Sequence, residues 1–195
     1  MIKTITTKRA ANPADVASID AIIAAAYDVI SGPAEHERDW DRERSLFIPG
    51  ARLIPTTKTA GEMNQDGTIT PQVLDVDGYI ERSRDYLEKN GFFEREIARR
   101  TEQFGHIAHV WSTYESRHNP DDAEPFMRGI NSIQLLYDDS RWWIVTVYWQ
   151  HESPEDPIPE KYLANCELRM TSDKLGELRS HASAVIRLRR EATAR

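Results

Sequence analysis

The side chains of this 195-residue sequence that could take part in chemistry are few, and they lie far apart along the chain. Tyr27 and Asp28 are adjacent in an apolar segment, and His109 and Asn131 follow in two segments of alternating polarity. Phenols, carboxylates and imidazoles move protons in proteins, and a buried amide orients a ligand by hydrogen bonds. Tyr27, Asp28 and His109 are therefore the candidate catalytic residues, and their use depends on the elements that position them.

The two histidines His106 and His109 invite comparison with a metal site. On a strand, a three-residue spacing sends two side chains to opposite faces, so the pair cannot converge on one ion, and no metal site is predicted. His109 shares its face with Ile107 and Trp111. It is either a catalytic residue of a pocket or an ordinary hydrogen-bonded histidine of a sheet.

Asn131 belongs to an otherwise apolar row with Gly129, Ile133 and Leu135. A buried amide must find hydrogen-bond partners. Recognition of a ligand and a structural hydrogen bond to a neighbouring strand both satisfy this requirement, and the sequence leaves the two open.

Three helices and a short strand are predicted for the first half of the chain. Asn-Pro-Ala-Asp at residues 12–15 is typical of a helix start, because Asn caps and Pro suits the first helical position. Apolar residues then recur every three or four positions as far as Gly32-Pro33. A second helix begins at Asp39 and is expected to stop at Pro49-Gly50. The short strand is predicted over 51–55 and the third helix over 75–90.

Four long strands are predicted after residue 92, where the hydrophobic period changes from helical to alternating. They cover Glu94–Phe104, Ile107–Arg117, Phe126–Asp138 and Arg141–His151. Short turns between long alternating segments indicate antiparallel hairpins. Helices followed by such a meander predict an α+β fold with the helices on one face of the sheet.

The last strand predicts an association surface. Strict alternation places Trp142 with Ile144, Thr146 and Tyr148 on one face, and Trp143 with Val145, Val147 and Trp149 on the other. Both faces are apolar, so both must be covered. One covers the pocket, and the other is expected to meet a second copy of the chain or the C-terminal segment.

Composition limits the partners. A formal net charge of −7 without a basic stripe argues against nucleic acid, and the longest apolar segment is too short to span a membrane. The single cysteine, Cys166, excludes an internal disulfide, and the N-terminus has no secretory signal, so a cytoplasmic protein is expected. Residues 1–163 are predicted to form one domain, and 164–195 a net-basic amphipathic helical extension.

Three sequence segments resemble the nuclear-transport-factor-2-like (SnoaL-like) superfamily. "AAYDVISGP…DWDRERSLFIPGARLIP" is similar to the opening helices and first strand of that superfamily, and "FGHIAHVWSTYES" and "SRWWIVTVYWQ" to its later strands. The resemblance covers residues 12–163. It implies a cystatin-like curved antiparallel sheet that forms a cone with three N-terminal helices around a pocket. Tyr27 and Trp40 would then lie where the helices close the mouth of the cone.

The resemblance predicts the fold of the chain, but the catalytic residues of two enzyme classes with this fold are only partly matched. Ketosteroid isomerases of this fold have a catalytic tyrosine that Tyr27 could match, but their Asp-Pro base corresponds here to Ile54-Pro55. Scytalone dehydratases are a closer local match, through Tyr27-Asp28, the "DWDR" segment and Asn131. One of the pocket histidines on which they rely corresponds here to Val110. The polar scaffold is thus partly present and the expected acid–base groups are absent.

We therefore expect a protein with a pocket for a hydrophobic or aromatic small molecule, with Tyr27, Trp40 and Asn131 as ligand contacts and no cofactor. The alternatives are a cofactor-independent lyase or isomerase, dehydratase- or cyclase-like, acting on a polycyclic or phenolic compound, and a non-catalytic dimerisation module. A catalyst should hold a buried Asp, Glu or His with a strongly shifted pKa at the pocket, whereas a binder needs only neutral, paired polar groups.

Overall fold

The computed structural model describes residues 10–56 and 72–163. Within these residues the helices precede most of the strands, as an α+β fold requires. The helices are α1 (Pro13–Val16), α2 (Ile19–Ile30), α3 (Trp40–Leu46) and α4 (Val76–Asn90). The strands are β1 (Phe47–Pro55), β2 (Phe93–Phe104), β3 (Ile107–Arg117), β4 (Met127–Tyr137) and β5 (Trp142–His151), followed by a 3₁₀ turn at Glu160–Tyr162.

Side-chain caps begin each helix. Asn12 caps α1 as predicted, and Asp39 and Asp75 cap α3 and α4. The prediction of one continuous first helix is wrong, however. Ser18 has an extended backbone, and its side chain accepts a hydrogen bond from the amide of Ala21, which starts α2 as a separate helix. A serine at this position competes with the helical hydrogen bonds and favours a new N-terminus.

The predicted stop of the second helix at Pro49-Gly50 is also wrong. Helix α3 ends at Leu46, and β1 begins directly at Phe47. Pro49 and Gly50 lie within β1, in an irregular stretch where the pairing register shifts between Phe47 and Arg52. Proline is tolerated in such a stretch because the ladder there needs no amide donor, and Gly50 adopts a positive φ of 82°.

Five strands of the described chain form one sheet in the order β1-β5-β4-β3-β2. The meander β2–β5 is antiparallel, and each of its strands begins and ends within one residue of the predicted limits. Strand β1 pairs with β5 in parallel, which the antiparallel prediction did not include. This pairing places β1 at one edge of the sheet, with β2 at the other edge.

A bulge changes which residues of β5 share a face. The register between β4 and β5 shifts at Gln134 and Leu135, so β5 does not alternate strictly. As a result Ile144, Val147 and Trp149 all face the helices, although the spacing from Ile144 to Val147 is odd. The predicted division of this strand into two faces is therefore wrong, because one extra residue reverses the alternation beyond it.

The core lies between the helices and the inner face of the sheet. Ile22 and Ile23 of α2, Leu46 of α3, Val110 of β3 and Ile144 of β5 are all fully buried there. A second cluster of Trp40, Ile80, Leu87 and Phe92 joins α3 and α4 to the start of β2.

No helix of the described residues is long and apolar enough to cross a membrane. The predicted C-terminal helix at 164–195 lies outside the described residues.

Candidate functional site

A cavity of about 300 Å³ lies between α2, α3 and α4 and the inner face of the sheet. Its volume is at the lower end of the range for small-molecule sites. Much of its wall is apolar, with contributions from Phe47, Leu53, Ile133, Ile144, Val147 and Trp149. A smaller number of polar side chains interrupts this wall, and they come from both the helices and the sheet.

Tyr27 and Asn131, two of the predicted ligand contacts, meet on the cavity wall. The Tyr27 hydroxyl lies 2.6 Å from Ser112 Oγ, and Asn131 Nδ2 donates to it over 3.1 Å. Burial raises the pKa of Tyr27 far above its usual value, and the nearby charge of Glu94 adds to this effect. The phenol is therefore neutral at any physiological pH. Asn131 both makes a structural hydrogen bond and faces the cavity.

Glu94, near the start of β2, is the first of two carboxyl groups on the wall, and it is half-buried. Ser116 Oγ donates to its Oε2 over 2.9 Å, and the Asn131 side chain also hydrogen-bonds to it. Burial raises the pKa of Glu94 to about 7, against the lowering effect of these two hydrogen bonds. Both protonation states of this carboxyl are thus populated at neutral pH.

Glu43, on α3, is the second carboxyl group on the wall, and its side chain is almost fully enclosed. Its Oε2 atom has no hydrogen-bond partner among the described residues. Burial raises the pKa of Glu43 to about 8, and the charge of Arg42 opposes this only in part. At pH 7 this carboxyl is mostly protonated, so it presents an O–H donor as well as an acceptor.

Two further tyrosines and a histidine also belong to the polar part of the wall, together with Arg82, Ser83 and Tyr86 of α4. Burial raises the pKa values of Tyr79 and Tyr114 well above the usual range, so both remain phenols. The ring of Tyr79 packs edge-on against Trp149, with 6.0 Å between the ring centroids. Burial lowers the pKa of His151, which favours its neutral imidazole.

Asp28 and Trp40 do not line this cavity. The Asp28 side chain is exposed and forms an ion pair of 2.5 Å with Arg42. Trp40 is buried in the second cluster, where its Nε1 donates to Glu88 Oε1 over 2.9 Å. Asp28 points away because neighbouring residues of a helix differ in direction by about 100°. Of the residues predicted on the helices, only Tyr27 faces the cavity.

His109 lies on the opposite face of the sheet. Its Nε2 is 2.8 Å from Ser132 Oγ, and its ring packs against Trp111 at 5.0 Å between centroids. The cavity face of β3 carries Val110 and Tyr114, which have the other parity. The structure thus places His109 in the ordinary role of a hydrogen-bonded histidine of a sheet.

The sequence analysis missed both carboxyl groups on the cavity wall, although one of them has a signal in the sequence. Glu43 lies three residues after Trp40 and three before Leu46, so it occupies the apolar face of its helix. A carboxylate at such a position indicates burial. Glu94 has no comparable signal, because charged side chains occupy both faces of β2 and only pairing with β3 shows which face is inner.

The described residues contain no group of three or more His, Cys, Asp and Glu side chains that could hold a metal ion.

No protein-family profile and no curated protein sequence matches this chain. Solved structures do match. A protein of unknown function with a cystatin-like fold from Nostoc punctiforme is similar at a TM-score of 0.52 and 10% identity, over 71% of this chain and 91% of that one. An NTF-2-like protein of unknown function from Silicibacter pomeroyi gives 0.48 and 14%, over 70% and 94%.

A protein from Novosphingobium aromaticivorans with the provisional name scytalone dehydratase gives a TM-score of 0.42 and 12% identity, over 68% of this chain and 82% of that one. The likeness to the Nostoc punctiforme structure, at 10% identity, shows the fold alone.

Proposed function

We propose that this chain, which has the cystatin-like fold of nuclear-transport-factor-2-like proteins, is a small-molecule enzyme that uses its own carboxyl groups for acid–base catalysis. One observation carries the proposal: Glu94 and Glu43 lie on the wall of one mostly apolar cavity, and burial raises their pKa values to about 7 and about 8. Carboxyl groups with pKa values near the operating pH are efficient in proton transfer. Burying a carboxyl group in an apolar site costs stability, and carboxyl groups with pKa values shifted in this way cluster at functional sites.

The reaction class that fits is a lyase or an isomerase. Glu94, ionised and stabilised by Ser116 and Asn131, takes a proton from a carbon of the substrate. Glu43, protonated, donates to an oxygen. In isomerisation Glu94 returns its proton to another carbon and Glu43 takes back the proton that it gave to the oxygen. In elimination the oxygen departs as water, which leaves Glu94 protonated and Glu43 ionised, and proton exchange with water restores both groups. Both reactions are redox-neutral, so neither requires an oxidant or a reductant.

Glu94 is a general base that the comparison with ketosteroid isomerases did not identify. Ketosteroid isomerases of this fold would have theirs where this chain has Ile54, which cannot accept a proton. Glu94 takes that role from β2, in contact with Asn131. The substrate is a mainly apolar, one- or two-ring compound, because the cavity is small and its wall is mostly hydrophobic.

Carbon–hydrogen exchange tests the proposal without knowledge of the natural substrate. The probes are 4-hydroxyphenylacetone and 2-tetralone in D₂O, and proton NMR measures the loss of the methylene signal beside the carbonyl. The wild-type protein should accelerate exchange, and Glu94→Gln should reduce the acceleration by roughly 10² or more, as removal of a general base does. Glu81→Gln, an exposed change on α4, is the matched control and should have no effect.

The pH profile of this exchange provides a second criterion. The rate should rise as Glu94 ionises through pH 7 and fall as Glu43 loses its proton above pH 8, so the optimum lies between these values. A rate that rises with pH without reaching a maximum would contradict the role of Glu43. If the probes bind in the cavity and their exchange rates are not accelerated, the proposed enzymatic activity is excluded.

A binding-only protein is the second candidate, and one observation favours it. Tyr27, Asn131, Glu94 and Ser116 already satisfy one another's hydrogen bonds, so they need no ligand to be stable. Such a protein would bind the probes and leave their exchange rates at the values measured without protein.

A further inference from the structure

A chain of hydrogen bonds behind the cavity wall determines how Tyr27 can meet a ligand. Ser112, which is fully buried, donates from Oγ to Glu96 Oε1 over 2.5 Å. Glu96 is ion-paired with Arg99, and a carboxylate accepts hydrogen bonds but has no proton to give. The single proton of Ser112 is therefore directed toward Glu96, away from Tyr27.

The direction of the next bond follows from this. Ser112 Oγ and the Tyr27 hydroxyl are 2.6 Å apart, and only one of the two oxygens can donate. Since the Ser112 proton is used for Glu96, Tyr27 must donate to Ser112. Asn131 Nδ2 donates to the Tyr27 oxygen from another side. The phenol has then given its only proton and keeps one acceptor position.

The Glu96 carboxylate, which accepts the hydrogen bond from Ser112, is fixed in position by Arg99. Arg99 donates from Nε and Nη2 to both carboxylate oxygens of Glu96, over 2.8 and 2.6 Å, and also pairs with the exposed Asp20. Glu96 and Arg99 are three residues apart, a spacing that would place them on opposite faces of a regular strand. The register shift of β2 between Glu96 and Ala98 brings both side chains to the inner face.

We propose that Ser112, Glu96 and Arg99 are positioning residues that make Tyr27 a hydrogen-bond acceptor toward the cavity, so that the ligand presents a hydroxyl donor there. The inference rests on the proposed function in that it takes the cavity as the substrate site. It assigns the substrate class: an alcohol or phenol whose O–H points at Tyr27. A carbonyl or ether oxygen at this place meets the Tyr27 lone pair and has no hydrogen bond.

Two probes that differ in one donor test the assignment. 2-Naphthol and 2-methoxynaphthalene share a two-ring skeleton, but only the naphthol can donate. Calorimetric titration of the wild-type protein should give a dissociation constant about 10-fold lower for the naphthol, the usual effect of one satisfied buried hydrogen bond. Tyr27→Phe removes the acceptor and should make the two constants equal.

Variants behind the wall separate positioning from simple contact. Ser112→Ala frees the Tyr27 proton to turn into the cavity, so the preference for the naphthol should fall several-fold. In Glu96→Gln, Arg99 retains the amide oxygen and the amide NH₂ faces Ser112. The donor directions in this series of hydrogen bonds then reverse, so Tyr27 donates into the cavity. The methyl ether should therefore bind more tightly to Glu96→Gln than to the wild type. Glu96→Gln keeps the size of the side chain, so it remains informative if Ser112→Ala does not fold.

Ser132→Ala is the matched control, because Ser132 is a buried serine on the opposite face of the sheet, beside His109. Its naphthol preference should equal that of the wild type. Equal binding of the two probes by the wild type, or an unchanged preference in both Ser112→Ala and Glu96→Gln, overturns the inference and leaves the acid–base proposal standing. Failure of both probes to bind overturns both.

Discussion

At the scale of single residues, the two glutamates on the cavity wall dominate the physical chemistry of the cavity. A carboxyl group raised from an ordinary pKa of 4.5 to about 8, as Glu43 is, makes folding less favourable whenever the unfolded chain is ionised and the folded chain is not. The stability of the protein therefore depends on the same property that fits Glu43 for proton donation.

The sign of this dependence gives a prediction for Glu43→Gln. The pKa of Glu43 is higher in the folded protein than in the unfolded chain. Its ionisation therefore leaves the free energy of unfolding unchanged below about pH 4.5 and lowers it as the pH rises toward 8. Urea unfolding of the wild type should show a free energy of unfolding that falls through this window. In Glu43→Gln the fall should be smaller by up to about 1.4 kcal/mol per pH unit.

Glu94 remains in both proteins, so the difference between their pH curves isolates Glu43. Glu81→Gln should follow the wild-type curve. Parallel curves for the wild type and Glu43→Gln would mean that Glu43 is ionised in the folded protein.

At the scale of elements, the connection between α2 and α3 is organised by one buried arginine. Arg38 is 4% exposed, and its guanidinium donates to five backbone carbonyls. The acceptors are the carbonyls of Ile30, Gly32, Pro33, His36 and Leu87. Four of these belong to the end of α2 and the loop after it, and one to α4. Arg38 therefore ties together two of the three helices that enclose the cavity.

Replacement of this guanidinium should be costly. Arg38→Met keeps the length and removes all the donors, so buried carbonyls lose their partners. We expect a loss of roughly 3 kcal/mol or more in the free energy of unfolding, measured by urea denaturation. Arg38→Lys has only three donors and should recover part of this loss.

Arg84→Met is the control for loss of an arginine. Arg84 is exposed and lies over the Trp40 ring at 5.8 Å, so its removal should cost less than about 1 kcal/mol. An equally small loss for Arg38→Met would show that water satisfies the carbonyls and that the loop does not depend on the arginine.

At the scale of the whole molecule, the two faces of the sheet have different environments. The inner face meets the helices and the cavity. Part of the outer face is covered by the chain itself: Thr113 Oγ1 donates to the Tyr162 carbonyl over 2.5 Å, and Trp111 lies 5.5 Å from the Tyr162 ring. Tyr148 remains 37% exposed beyond this cover. The predicted association through the sheet would use that remaining part.

We expect a homodimer through the outer face near Tyr148. Tyr148→Glu places a charge in that interface and should convert the dimer to a monomer, since an unpaired buried charge is strongly unfavourable. Sedimentation velocity measures the change in mass. Val73→Glu introduces the same charge at another exposed apolar residue, and it should leave the mass unchanged. A monomeric wild type, or a dimer that survives Tyr148→Glu, would contradict the predicted interface.

Local sequence signals were sufficient for the fold class and for most of the elements. Capping residues such as Asp39 and Asp75, the glycine stop at Gly91, and alternation along four strands act over a few residues, so their structural effects can be derived from neighbouring positions. The α+β fold and the antiparallel meander are confirmed by the structure. The two misplaced helix limits arose where Ser18 and the strand β1 competed with helical signals.

The site itself was decided by tertiary structure. Two register shifts, one in β2 after Glu96 and one in the pairing of β4 with β5, determine which side chains face the cavity, and no local pattern predicts them. Burial decides the chemistry in the same way. Glu43 and Glu94 have the same side chain as the exposed Glu81, and only enclosure by residues distant in sequence removes the water that would otherwise keep them ionised. The sequence by itself determined the scaffold, and desolvation by the folded chain made two glutamates candidates for catalysis.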